Sequence, residues 1–262
     1  MKYVVTGGAG FVGTNLIKRL LNDGHEVVSL DDYSTGKKEN EQDGCKYIEC
    51  DISDSLRRHQ AFGLEKYQLE KPDGIFHLAA LARIQPSFKH PSDSFDANAR
   101  GTQNIMEWAR EVGCPVVYAG SSSIHGDKYA NPYTFTKWLG EEVIKMYSKI
   151  YDIPTIITRF YNVYGEHQAT EGAYCNVLGI FQRLFGEGRP LTITGDGEQR
   201  RDFTHVDDIV DGLYKCVGKE FKAEIFELGR GENFSINELA DMFSVDSDRY
   251  PTKYIDSRPG EA

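Results

Sequence analysis

Tyr133 and Lys137 stand four residues apart in the stretch Pro132-Tyr133-Thr134-Phe135-Thr136-Lys137. On a helix this spacing puts both side chains on one face, where an ammonium can stabilise a phenolate. Bringing a phenol from its reference pKa of about 10 to about 7 takes roughly 4 kcal/mol of differential stabilisation. The same spacing recurs at Tyr33–Lys37 and Tyr67–Lys71, so the pattern alone decides nothing. Position separates the three. Tyr33 falls in a loop past the second expected strand, and Tyr67 precedes Pro72 near a helix end. Only Tyr133 follows a run of hydroxyls, Ser121-Ser122-Ser123, at the carboxyl end of a strand. Open α/β sheets bind their ligands at that edge.

A second constellation lies at the start of the chain. Gly8-Ala9-Gly10-Phe11-Val12-Gly13 satisfies GxGxxG, and Gly7, Gly10 and Gly13 also satisfy GxxGxxG. A glycine turn can be no more than a tight turn. Here it follows an expected strand and opens an expected helix, Phe11–Leu21, and Asp31 comes 18 residues after Gly13 at the end of a second strand. In that context it reads as a dinucleotide pyrophosphate cradle, with a carboxylate for the adenosine ribose. Asp31 and Asp32 would repel a ribose 2′-phosphate, which favours NAD over NADP, and Lys37 and Lys38 read as solvated loop charges.

The elements that must position these groups alternate along the chain. Expected strands are Lys2–Thr6, Glu26–Leu30, Lys46–Cys50, Gly74–Ala79, Pro115–Gly120 and Pro154–Phe160, with amphipathic segments between most of them. Such alternation argues for a doubly wound parallel sheet, an α/β fold of the Rossmann type with helices on both faces. Further on, Ala173–Glu187 and His205–Val217 read as helices, and Leu191–Gly195 and Glu224–Leu228 as strands. Ser235-Ile236-Asn237-Glu238 has the form of a capping box, so a smaller mixed lobe is expected beside the sheet. Forty acidic against 30 basic residues, a net charge of −10, argue against nucleic acid or an anionic membrane as partner. Five cysteines with no CxxC pair fit reduced thiols, no metal site is assigned, and no apolar run reaches the length of a membrane span, so a cytoplasmic protein is expected.

Several further stretches complete the pattern: Asp51-Ile52, HLAALA at 77–82, Asn98-Ala99-Arg100-Gly101-Thr102, RFYNVYG at 159–165, RRDFTHVDD at 200–208 and RPGE at 258–261. Their order and spacing, with those above, resemble the extended short-chain dehydrogenases/reductases that act on nucleotide sugars, most closely the UDP-galactose 4-epimerase branch. The resemblance implies a Rossmann domain over 1–165 and about 204–230, and a substrate lobe over about 166–203 and 231–262. It implies Gly7, Gly10, Phe11, Val12 and Gly13 at the NAD pyrophosphate, Asp31 at the ribose, Asp51 and Ile52 at the adenine, and Ala79 and Ala80 lining the cofactor cleft. For Ile52, core packing is nearly as strong a reading. Ser121, Tyr133 and Lys137 would carry the chemistry, Lys137 also holding the cofactor ribose. Asn162, Arg201 and Arg258 would grip the substrate, the two arginines on its diphosphate, and Asn98 would brace the sheet.

The implied activity is 4-epimerisation of a nucleotide sugar, UDP-linked, by transient oxidation at C4, in a homodimer. Relatives that dehydrate or decarboxylate the sugar place acidic residues just after the catalytic hydroxyl, where this chain has Ser122 and Ser123, although His125 offers another acid or base. A non-catalytic NAD-sensing protein of this fold would need neither Tyr133 nor Lys137. Two departures stand out. Only 11 residues separate Ser121 from Tyr133, about half the usual segment, and the resemblance leads one to expect several dozen residues beyond Ala262, so that the substrate lobe reads as incomplete.

Overall fold

The computed structural model describes residues 1–54, 69–216, 218–219, 221–244 and 249–257. The first unit is β1 (Lys2–Thr6), α1 (Phe11–Asn22) and β2 (Glu26–Asp31), followed by β3 (Cys45–Glu49) and β4 (Gly74–His77). Two short helices, α2 (Ile84–Lys89) and α3 (Pro91–Phe95), run through a π-helical turn at Asp96–Arg100 into α4 (Gly101–Val112). Then come β5 (Val116–Ser121), the long α5 (Pro132–Tyr151), β6 (Thr155–Phe160) and β7 (Val163–Tyr164). The remainder is α6 (Val177–Gly186), β8 (Leu191–Thr194), β9 (Arg200–Asp202), β10 (Thr204–His205), α7 (Val206–Lys215), β11 (Lys222–Leu228), β12 (Asn233–Ser235), α8 (Ile236–Asp241) and β13 (Thr252–Ile255).

Seven strands form one sheet in the order β11-β6-β5-β4-β1-β2-β3. Every pairing within it is parallel. Period-2 alternation feeds both faces: Val4 joins one apolar cluster with Trp108 and Ile144, while Tyr3 and Val5 join another with Leu16 and Ile209. The strand order reverses between β1 and β4, so the loops after Thr6 and His77 diverge and leave a crevice. His77 is buried at the end of β4: Nδ1 is 2.8 Å from Thr6 Oγ1 and Nε2 is 2.9 Å from Thr102 Oγ1.

A third apolar cluster, including Phe181, Leu191, Ile193, Phe203 and Leu239, lies apart from these two. Around it β8 pairs with β13 and β9 with β12. The expected capping box is present, with Ser235 Oγ accepting from the Glu238 N–H and the Glu238 carboxylate from the Ser235 N–H. The helix expected over Ala173–Glu187 starts later, at Val177, because the Asn176 carboxamide caps it by accepting from the Gly179 N–H. The expected end of the α7 segment, Val217, lies outside the described residues.

Candidate functional site

The crevice widens into a cleft of about 1810 Å3. Single-ligand pockets run to about 1,000 Å3, so two ligands fit side by side. Every sequence-expected site residue among the described residues lines it. Arg258, with the RPGE stretch, and Tyr67 lie outside the described residues.

At one end the glycine turn leads into α1. Gly7 adopts φ +71°, and a Cβ there would come within 2.9 Å of the Ala79 backbone. A Cβ on Gly13 would run into the Gly7 carbonyl oxygen. Gly10 is the N-cap and offers no side chain to the helix, so the N-terminus of α1, beginning with Phe11 and Val12, keeps its amides for a ligand in the cleft. The buried Asp31 ends β2, its carboxylate accepting from the Ala9 N–H and the Tyr33 N–H, both at 2.9 Å. Burial pushes its pKa up, while these two donors oppose the shift. Asp51 is exposed, its carboxylate accepting from the Ser53 N–H, and the buried Ile52 both lines the cleft and packs into the core. Ala79 and Ala80 follow β4, and Lys37 and Lys38 pair with Glu39 and Glu49 on the surface. A backbone cradle that admits no Cβ, an uncapped helix N-terminus and an acidic strand end fit a dinucleotide diphosphate.

Deeper in the cleft, the Tyr133 hydroxyl donates to Ser121 Oγ at 3.1 Å. Ser121 Oγ is 2.9 Å from Ser123 Oγ, so the hydroxyl run is one hydrogen-bonded group. Asn131 caps α5 by accepting from the Thr134 N–H, and Pro132 opens its first turn. Tyr133 therefore sits in a turn whose geometry local sequence determines. Lys137 is buried. Its ammonium donates to the Ala119 carbonyl at 2.6 Å and lies 4.4 Å from the centre of the Tyr118 ring. Burial lowers its pKa to about 8, against the opposing charge of Glu141 one turn on. For Tyr133, burial raises the pKa, while the Ser121 hydrogen bond and the Arg83 charge pull it back.

Toward the smaller lobe, Asn162 donates to the Asp202 carbonyl at 3.0 Å and Arg201 to the Arg200 carbonyl at 2.9 Å. Asn98 braces the frame, bonding the Leu81 backbone and Thr136. Sequence reasoning passed over several cleft residues: Arg83, Asn176, Thr192 and Thr194. Arg83 directly follows HLAALA and could have been found there, whereas nothing local marks the threonines. Ser122 and Ser123 line the cleft, while His125, which does not, is held 3.2 Å from both the Glu227 carboxylate and the Tyr161 hydroxyl.

Fold and site together define a dinucleotide-binding α/β protein whose cleft holds a tyrosine hydrogen-bonded to a serine. The family model for the NAD dependent epimerase/dehydratase family matches residues 3–229, and the chain belongs to that family. It is 35% identical over 259 residues to the UDP-glucose 4-epimerase of Mycolicibacterium smegmatis, covering 91% of this chain and 80% of that protein. The crystal structure of the Thermotoga maritima UDP-glucose 4-epimerase with UDP-glucose superposes with a TM-score of 0.91 at 27% identity, covering 100% of this chain and 87% of that one. The Thermus thermophilus UDP-glucose 4-epimerase in complex with NAD gives 0.88 at 27% identity, with 100% and 88% covered.

Proposed function

We propose that the protein is an NAD-dependent nucleotide-sugar 4-epimerase, acting on UDP-glucose and UDP-galactose or their N-acetylhexosamine equivalents. The observation that carries this reading is the hydrogen bond from Tyr133 to Ser121 at the deep end of a cleft whose other end is the glycine cradle. Gly7, Gly10, Phe11, Val12 and Gly13 would hold the NAD pyrophosphate, Asp31 the adenosine ribose, Asp51 and Ile52 the adenine, Ala79 and Ala80 the cleft wall, and Lys137 the second ribose. Held there, NAD would supply a reversible hydride acceptor for C4 of the sugar. Tyr133, as phenolate, removes the proton of the sugar 4-hydroxyl, and Ser121 hydrogen-bonds the same oxygen. After the 4-keto sugar has turned over in the pocket, Tyr133 gives the proton back. Asn162, Arg201 and Arg258 grip the substrate. A guanidinium suits the diphosphate because its planar fork pairs with phosphate oxygens, so an acidic protein can still bind a dianion.

Dehydration would need an acid to expel the 6-hydroxyl and a base for the C5 proton. Ser122 and Ser123 serve neither role, and His125 is engaged with Glu227 outside the cleft lining. Isolation of C4 epimers from UDP-glucose and UDP-N-acetylglucosamine tests the assignment, with Tyr133→Phe yielding none. Accumulation of a 4-keto-6-deoxy sugar by the wild type overturns it.

Three coarser features complete the reading. The apolar cluster of the smaller lobe supports a division into a Rossmann domain, 1–165 and about 204–230, and a substrate lobe. Exposed Phe95, Met146 and Ile150 on and beside α5 support a homodimer formed through α4 and α5. Among the described residues no helix is long and apolar enough to cross a membrane, and we assign the enzyme to the cytoplasm.

A further inference from the structure

We propose that Arg83 is a second cation of the acid–base centre, a positioning residue that stabilises the negative charge of the Tyr133 phenolate until that oxygen takes up the proton of the sugar hydroxyl. This rests on Tyr133 as the base. Arg83 ends the loop after β4 and stands at the start of α2, in the wall of the same cleft as Tyr133 and Ser121. It is half-buried, and its guanidinium is fastened by two neutral acceptors. Nε donates to the Tyr174 carbonyl at 2.7 Å and Nη1 to the Ala82 carbonyl at 2.8 Å. Among the described residues no carboxylate comes within salt-bridge distance of it. Five donors with two in use leave N–H groups free to point into the cleft. A desolvated cation without a counter-charge is costly, and such groups persist where function needs them.

Its position is tied to that of the phenol. The Tyr133 backbone N–H donates to Ser87 Oγ at 3.1 Å, and Ser87 Oγ donates to the Ile84 carbonyl at 2.7 Å, so α2 is latched to the first turn of α5. The titratable groups facing Arg83 are Tyr133, Tyr174 and Cys175, and those facing Tyr133 are Arg83 and Tyr118. Beyond Tyr174 lie Asp93 and Asp32, and beyond Cys175 lie Glu171 and Arg183. Lys137, on the same helix as Tyr133, gives its ammonium to Ala119 and the Tyr118 ring and faces Glu141. The Arg83 charge acts on the phenol itself, lowering its pKa against burial.

Removing a cation from beside a phenolate raises the phenol's pKa, so the acidic limb of the rate profile moves to higher pH. With the NAD-loaded enzyme and UDP-glucose, Arg83→Gln is expected to lose about tenfold in kcat at pH 7 with KM nearly unchanged. Its acidic limb should move up by about one pH unit, activity returning at high pH, and Arg83→Lys should recover most of the rate. An ultraviolet difference titration of tyrosinate, wild type against Tyr133→Phe, reads the same group without turnover, and its transition should rise in the Arg83→Gln background and stay low in Arg83→Lys. An unmoved profile and titration, or a rise in KM alone, overturns the proposal. Should Tyr133→Phe remain an active epimerase, it is the assignment of the base that fails, while the titration still reports on Arg83.

Discussion

A lysine ammonium buried beside a backbone carbonyl makes Lys137 a liability to folding. Its folded pKa of about 8 lies below the unfolded value of 10.5. Between those values the unfolded chain holds a proton that the folded chain has shed, so stability rises with pH across that window. The unfolding free energy of wild type relative to Lys137→Met should therefore increase by about 2 kcal/mol from pH 7.5 to pH 10, read by urea denaturation of the apoprotein. An equal or opposite trend would show that the ammonium is not desolvated. Gly13 makes the second prediction at this scale. A methyl there meets the Gly7 carbonyl oxygen, so Gly13→Ala must distort the turn. NAD affinity in titration calorimetry should fall at least tenfold, with the far-ultraviolet spectrum retained.

Among the elements, the junction from β5 to α5 carries most of the site. Ser121 closes the strand, its Oγ accepts from the Ser123 N–H, and the Asn131 cap then starts the helix that presents Tyr133. Removing the cap should cost about 1 kcal/mol. Asn131→Ala is thus expected to lower the melting temperature by a few degrees and, with Tyr133 as the proposed base in the first turn, to reduce kcat. An unchanged kcat would mean that Ser87 and Ser121 suffice to hold it. The shorter segment between Ser121 and Tyr133, unusual on sequence grounds, still brings the two hydroxyls within hydrogen-bond distance.

For the whole molecule, the cleft couples the sheet to the smaller lobe through few but specific bonds. Asn15 reaches the Glu166 carbonyl, Lys18 pairs with Glu166 at 2.9 Å, and Arg83 crosses to Tyr174. A ligand spanning the cleft adds to these, and binding to the native state alone raises stability by mass action. NAD should raise the melting temperature in a thermal shift assay and NADP should do so far less, because Asp31 and Asp32 line the cleft at the end of β2 and their charge would repel a 2′-phosphate on a ribose bound there. Equal shifts would remove the acidic strand end as the discriminator. Sedimentation at micromolar concentration should give a dimer.

Most of the sheet was legible in the sequence because its signals are short-range. Strand alternation, the glycine turn and the Ser235 cap each involve residues within a few positions of one another, and their conformational preferences act before any long-range contact forms. All seven sheet strands lie within two residues of their expected bounds, β11 starting two residues earlier and β4 ending two residues earlier. That the Tyr133 hydroxyl bonds Ser121 rather than Ser122 or Ser123, where the Lys137 ammonium points and that Arg83 shares the cleft with Tyr133 were decided by tertiary structure. The bond from Arg83 to Tyr174 joins residues 91 apart, and that from Asn15 to Glu166 residues 151 apart. No local pattern encodes such pairs, because parallel strands and crossover helices bring their ends together only once the whole sheet has closed.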